Sequence, residues 1–169
     1  MTEFSSNDYW RAIILYGLNQ ATYKIALGKS LIGFAKEGVS TVGWEQLSKS
    51  FLSQYKERLN VSDAMPQQSI PFRRTYMERV VSDLKMGRHT ENQAIEMVGQ
   101  NAFNDVVYRF HTLIGVNGLA NKFYEFEFGK RLIITDELFK VVQSQANDLL
   151  VELDARWALL EGAFSISTE

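Results

Sequence analysis

The 169 residues suit one domain of ordinary size, and a chain this long can bury about two-thirds of its unfolded surface without covalent staples. It has no cysteine, which excludes disulfides, thiolate metal sites and cysteine nucleophiles, and its two histidines, His89 and His111, are too far apart in sequence to read as a metal pair. The net charge of −2 hides a division: residues 1–88 carry twelve Lys or Arg against eight Asp or Glu, and residues 89–169 carry six against twelve.

That division has two readings. It is ordinary surface variation, or one side of the domain meets an anionic partner. No apolar run is long enough to span a bilayer, so no membrane role is expected. The first ten residues carry acid before base and lack the apolar segment of a secretion signal. With no cysteine, a reducing, cytoplasmic setting is the expectation.

In chain order, Asn7 or Ser6 is placed to cap a first helix from about Asp8 to Leu18, with Tyr9, Ile13 and Tyr16 at helical spacing. The stretch Asn19 to Gly38 predicts a second helix, capped by Asn19 and ended by Gly38. Its apolar arc, through Ala21, Ile25, Leu27, Gly28, Leu31, Ile32, Phe34 and Ala35, is wider than a surface helix needs, so this helix is expected at the centre. Ala21, Gly28 and Ala35 recur every seven residues and would let a neighbour approach closely. A third helix is expected from about Gly43 to Leu59, capped by Thr41, with Trp44, Leu47, Phe51, Leu52 and Tyr55 as its buried stripe.

Asn60 to Pro71 reads as the longest loop and the best candidate for mobility. Pro71 suits the first turn of a fourth helix running to about Met86 and stopped by Gly87. Thr90 to Gln93 is a capping-box pattern for a fifth helix, and Asn104 caps a short sixth ending near Leu113. Alternation from Phe123 to Phe128, followed by Arg131 to Ile134 after Gly129-Lys130, predicts a small β-hairpin near 123–134. Thr135 then starts a last helix running to about Phe164, with Gln145 and Asn147 marking a place where it can break. The fold class expected is mainly α: a single domain over residues 1–169, of about seven helices with one small hairpin.

No catalytic motif is present: Gly28-Lys29-Ser30 imitates the end of a phosphate loop but lacks the upstream glycine and lies inside a helix. Lys24 falls in the apolar arc of the second helix; it snorkels to water, pairs with an acid of another helix, or meets a phosphate. The fourth helix and its flanks are basic, with Arg73, Arg74, Arg79, Lys85 and Arg88 arranged as a solvated face or as a track for a nucleic-acid backbone. Arg109 and His111 flank Phe110; the arginine can clamp a carboxylate or face a phosphate, and the histidine is a hydrogen-bonded structural residue or a catalyst. The nucleic-acid candidates are therefore Lys24, Lys29, Lys36, Arg73, Arg74, Arg79, Lys85, Arg88, Arg109 and His111. Glu125 and Glu127 read as metal ligands or, more simply, as the negative edge of a strand.

Several short runs in a shared order carry a resemblance. They are Tyr9-Trp10-Arg11-Ala12 with Leu15-Tyr16-Gly17-Leu18-Asn19, Ala21-Thr22-Tyr23-Lys24, Ala26-Leu27 and Lys29-Ser30-Leu31. Later come Asn104-Asp105-Val106-Val107 with Arg109-Phe110-His111, Lys122-Phe123-Tyr124-Glu125, and Leu132 with Thr135-Asp136-Glu137-Leu138. Glu152-Leu153-Asp154-Ala155-Arg156-Trp157 closes the series, with Leu160-Glu161 and Ala163-Phe164 after it. Together, from about residue 9 to 164, they resemble the helical region that precedes the nuclease domain in a group of bacterial HNH endonucleases. The family cuts DNA with a divalent metal held by that later domain. This chain has no cysteine, no paired histidines and no His-Asn-His set, so the resemblance assigns it no catalytic residue and no cofactor. It implies a non-catalytic DNA-targeting, docking or regulatory module, restriction-like in context, with DNA, the nuclease domain or a partner chain as its partners. The alternative is a helical interaction or oligomerisation module with no nucleic-acid role, using the Ala21–Gly28–Ala35 seam and the long final helix.

Overall fold

A helix that is apolar on most sides must be wrapped by others, and α2 (Tyr23–Lys36) is wrapped in this way. The computed structural model describes residues 5–16, 21–59, 66–69, 74–111, 122–143 and 146–166. Around α2 stand α1 (Ser6–Tyr16), α3 (Trp44–Leu59), α6 (Val106–Arg109), α7 (Asp136–Val142) and α8 (Ala146–Ile166). The helices α4 (Tyr76–Lys85) and α5 (Glu91–Asn101) pack on the far side of α3. A small antiparallel sheet of β1 (Thr41–Gly43), β2 (Tyr124–Glu127) and β3 (Arg131–Ile134) has the order β1-β3-β2. The buried apolar residues form one cluster, from Trp10 of α1 to Trp157 of α8. The mainly helical class with its small hairpin is as expected.

The helix ends explain most of the boundaries. Val39 N–H bonds Phe34 C=O and Gly38 N–H bonds Ala35 C=O, both at 3.0 Å, closing α2 through Gly38 with φ +76°. This is the left-handed C-terminal motif expected there, and Gly87 (φ +73°) ends α4 in the same way. The capping box at Thr90 and Gln93 is present, with bonds of 3.2 and 2.9 Å. A second one was not anticipated. Thr75 and Glu78 form a capping box that starts α4 at Tyr76, later than the expected start at Pro71, which lies outside the described residues. Ser5, rather than Ser6 or Asn7, caps α1 through reciprocal bonds with Asp8. Asn19, the expected cap of α2, lies outside the described residues; Thr22 occupies the cap position, but its side chain bonds elsewhere.

Further expectations change. Val42 and its neighbours form β1, a third strand paired Thr41↔Ile133, Val42↔Leu132 and Gly43↔Arg131. Thr41 therefore lies in a strand and does not cap α3, which starts at Trp44 with its N–H bonded to Lys130 C=O at 3.0 Å. The sixth helix is one described turn, Val106–Arg109, with Asp105 rather than Asn104 at the cap position; Leu113 lies outside the described residues. The final helix is two, α7 ending at Val142 and α8 starting at Ala146, which raises the count of described helices to eight. Of the expected loop, 60–65 and 70–71 lie outside the described residues, while Gln68 and Ser69 are buried.

The seven-residue stripe of small residues serves the interior. A Cβ added at Gly28 would lie 3.5 Å from Ile14 and from Leu153 and 3.6 Å from Trp10, so this glycine seats α1 and α8 on α2 at ordinary van der Waals distance. Gly99 is tighter: its added Cβ would stand 2.8 Å from Ser48 Oγ and 3.2 Å from Trp44, whose indole N–H bonds Gly99 C=O at 2.8 Å. Both glycines are helical, so alanine brings about 1 kcal/mol of helix propensity at either site. Gly28→Ala should therefore be neutral or stabilising, by up to about 1 kcal/mol. Gly99→Ala should lower stability by about 1 kcal/mol net, because overpacking of about 1–3 kcal/mol outweighs the propensity. Denaturant midpoints of the two variants measure the difference, and equal shifts would contradict it.

Candidate functional site

The cations singled out in the sequence are mostly engaged within the fold. Lys29 Nζ lies 2.5 Å from Asp154, Lys36 donates to Asn147 at 2.7 Å, and Lys85 donates to the last carbonyl of α3, Leu59, at 2.6 Å. Arg88 pairs with Asp83 at 2.9 Å, and the exposed Arg109 pairs with Asp105 at 2.9 Å, so it clamps no core carboxylate. Arg74 and Arg79 are exposed with no acid partner among the described residues; Arg79 stands over the ring of Tyr76. Arg73 lies outside the described residues.

The pairings also account for the charge division along the chain. Arg11 meets Glu152, Lys29 meets Asp154, Lys56 meets Glu91 and Arg58 meets Glu161. Cations of the first half thus find acids of the second, and much of the asymmetry is internal complementarity.

Lys24 and His111 are buried, at 7% and 8% exposure. Lys24 does not snorkel to water, and it pairs with no acid among the described residues. Its ammonium donates to Ile13 C=O at 3.2 Å, in the last turn of α1, where the helix dipole favours a cation. Burial lowers its pKa to about 8. His111 Nε2 accepts the Phe123 N–H at 2.9 Å, so the ring is neutral with its proton on Nδ1. Phe110, Phe123 and Tyr124 surround it. Burial, and then the charges of Lys122 and Lys24, bring its pKa down to about 4. His111 thus ties the chain after α6 to the start of the hairpin.

A buried polar knot was not legible in the sequence. Gln68 is fully buried, and both ends of its amide are saturated. Its Oε1 accepts from Thr22 Oγ1 at 2.9 Å and from Trp157 Nε1 at 2.7 Å. Its Nε2 donates to Glu161 Oε2 at 2.7 Å and to Pro66 C=O at 3.1 Å. Because Thr22 gives its proton to Gln68, the Tyr55 hydroxyl donates to Thr22 at 2.8 Å. Arg58 completes the knot, bonding Glu161 at 2.6 Å and lying 4.6 Å over the Trp157 ring.

Two surfaces stand out. The first is the outer face of α8, where Val151 and Leu159 are 68% and 65% exposed and Ala155, Ala158 and Gly162 are exposed with them. Beside it a groove of about 300 Å³ runs between α1 and α8, lined by Trp10, Ile14, Leu149, Leu153, Ala155 and Leu159 among others. The second is aromatic: Tyr108 and Phe128, 59% and 38% exposed, stack on each other, and Tyr108 meets Phe126 edge-on at 4.9 Å. A larger open groove of about 790 Å³, between the end of α2, α7 and the start of α8, carries Lys36, Lys140, Asp136 and Asp148. Among the described residues no three His, Asp or Glu gather as a metal site, and no helix is long and apolar enough to cross a membrane. The outer face of α8 had a signal in the sequence, since apolar residues fall on both sides of that helix; Gln68 had none.

No family model matches this chain, and no curated protein or solved structure is detectably similar to it.

The buried imidazole sets an acid limit on stability. The unfolded chain takes up the His111 proton near pH 6.5, whereas the folded protein holds it off to about pH 4. Its contribution is therefore complete above pH 6.5 and lost as the pH falls to 4, by as much as about 3 kcal/mol. His111→Gln keeps an acceptor for the Phe123 N–H but does not titrate. Urea unfolding at neutral and acidic pH should show a shallower loss in this variant than in the wild type; parallel losses would contradict the assignment.

Proposed function

We propose that this chain is a non-catalytic docking module, akin to the helical region that precedes the nuclease domain of HNH endonucleases, and that it works by protein contact through α8. The carrying observation is the helix itself: its inner face buries Leu149, Leu153, Trp157 and Phe164, yet its exposed side also carries an apolar strip of Val151, Ala155, Ala158, Leu159 and Gly162, bordered by Asp148, Glu152 and Asp154. An exposed apolar strip rimmed by polar residues marks a contact surface. The occupant we assign is a second copy. Val151 and Leu159 lie four residues to either side of Ala155, so a two-fold axis through Ala155 sets Val151 of one copy against Leu159 of the other. Ala155, Ala158 and Gly162 leave room for the helices to approach. On this reading cutting and its divalent metal belong to the nuclease domain, and this module holds the assembly together. Light scattering over a wide concentration range should give twice the chain mass. Val151→Glu with Leu159→Glu should give the single mass with unchanged helix content. A strict monomer at the highest concentration overturns the α8 reading.

Arg74 and Arg79 support a second reading, DNA contact at the start of α4, because they alone of the described candidates are exposed without an acid or hydrogen-bond partner. Two phosphate contacts predict a salt slope of about −2, roughly a tenfold loss of duplex affinity from 50 to 200 mM salt. Anisotropy titration should show this weak binding and its loss in Arg74→Glu with Arg79→Glu. No binding at low salt, or affinity indifferent to salt, removes DNA from the module's role.

A further inference from the structure

The groove between α1 and α8 carries a guanidinium that the fold leaves unpaired. Glu152 and Arg156 stand four residues apart on α8, in the order that favours an ion pair along one helix face. They do not pair. Glu152 instead meets Arg11 of α1 at 3.4 Å. Asp154, the other acid of that turn, lies 2.5 Å from Lys29 and 3.8 Å from Arg58. Arg156 therefore has no acid within ion-pair distance among the described residues. Its Nε is also shielded from solvent without a hydrogen-bond acceptor. A half-buried cation in this state favours an anion that comes from outside the fold.

The same groove joins this cation to apolar surface. Trp10, Ile14, Leu149 and Leu153 form its buried floor, and the exposed Ala155 and Leu159 form a wall. Its volume of about 300 Å³ suits a small ligand rather than a folded partner. We propose that the groove binds a medium-chain aliphatic carboxylate. The carboxylate sits on the Arg156 guanidinium, whose planar fork matches two oxygens of one acid. The chain lies along Trp10, Ile14 and Leu159, where it displaces water from apolar surface. A polyanion does not fit, because Arg11 is already engaged and Glu152 repels further negative charge. An uncharged chain leaves Arg156 without its anion, and a short acid leaves the apolar floor uncovered. The groove adjoins the α8 strip and shares Ala155 and Leu159 with it. Arg156, Trp10 and Ile14 lie outside that strip, so the site does not rest on the pairing of two copies.

The test titrates the whole chain with octanoate and follows the indole resonance of Trp10 and the methyl resonances of Ile14. Binding should be saturable, and the Trp44 indole, held by Gly99, should not move with it. Octanol carries the chain without the charge, and acetate the charge without the chain; each should bind about tenfold more weakly than octanoate. Arg156→Gln should weaken octanoate about tenfold, to the level of octanol, while octanol itself binds as before. Val151→Glu lies outside the groove and should not weaken octanoate, which separates this site from the α8 interface. Absence of saturable binding overturns the proposal. So does octanol binding as tightly as octanoate, an unchanged octanoate affinity in Arg156→Gln, or resonance shifts away from Trp10 and Ile14.

Discussion

Burying α2 on nearly every side creates a problem that the rest of the structure answers. The helix and its cap carry Thr22, Lys24, Lys29 and Ser30 into or against the interior, and an unsatisfied polar group there is destabilising. Each has a specific solution. Thr22 joins the amide of Gln68, Lys24 reaches the Ile13 carbonyl in the last turn of α1, and Lys29 meets Asp154. Ser30 bonds Ser50 and Gln54 at 2.9 and 2.7 Å. The positions of α1, α3, α8 and the Pro66–Ser69 segment follow from these attachments as much as from apolar packing. Gln68 is the most constrained of them, because four groups, one at the start of α2, two on α8 and one in its own segment, converge on one side-chain amide.

The same requirement bears on function. Several cations that look available in the sequence are engaged within the fold, Lys29 by Asp154 and Lys24, Lys36 and Lys85 by carbonyl oxygens, and the acidic second half of the chain is in part the counter-charge of the basic first half. What the molecule offers is apolar and aromatic surface on α8 and beside the hairpin. Such patches are characteristic of protein contacts, where aromatic and aliphatic anchors supply most of the binding energy. That balance is why protein docking leads the proposed function and DNA contact stands second.

His111 and Tyr124 show how the hairpin is held to the helices. A two-stranded hairpin of four-residue strands is marginal by itself. Here β1 extends it to three strands, the His111 ring accepts the Phe123 N–H, and the Tyr124 hydroxyl donates to Val107 C=O at 2.6 Å. Burial raises the Tyr124 pKa and lowers that of His111, so both stay neutral and keep these bonds near neutral pH.

By itself the sequence determined the helical class, the central place of α2, the ends at Gly38 and Gly87, the cap at Thr90 and the hairpin with its glycine turn. All of these rest on interactions within a few residues: helical period, strand alternation, a side chain reaching its own first turn, a glycine free to take positive φ. Tertiary structure alone decided the rest. β1 exists because Val42 lies opposite Leu132, ninety residues away, and three residues have no periodicity to read. Gln68 became a buried hub because Thr22, Pro66, Trp157 and Glu161 converge on it, and nothing near it in the chain signals that. Lys24 found a carbonyl instead of water, and Lys29 and Arg58 found acids on α8. The partner of a long charged side chain is a matter of which helix lies across from it, and that is established only once the helices have packed.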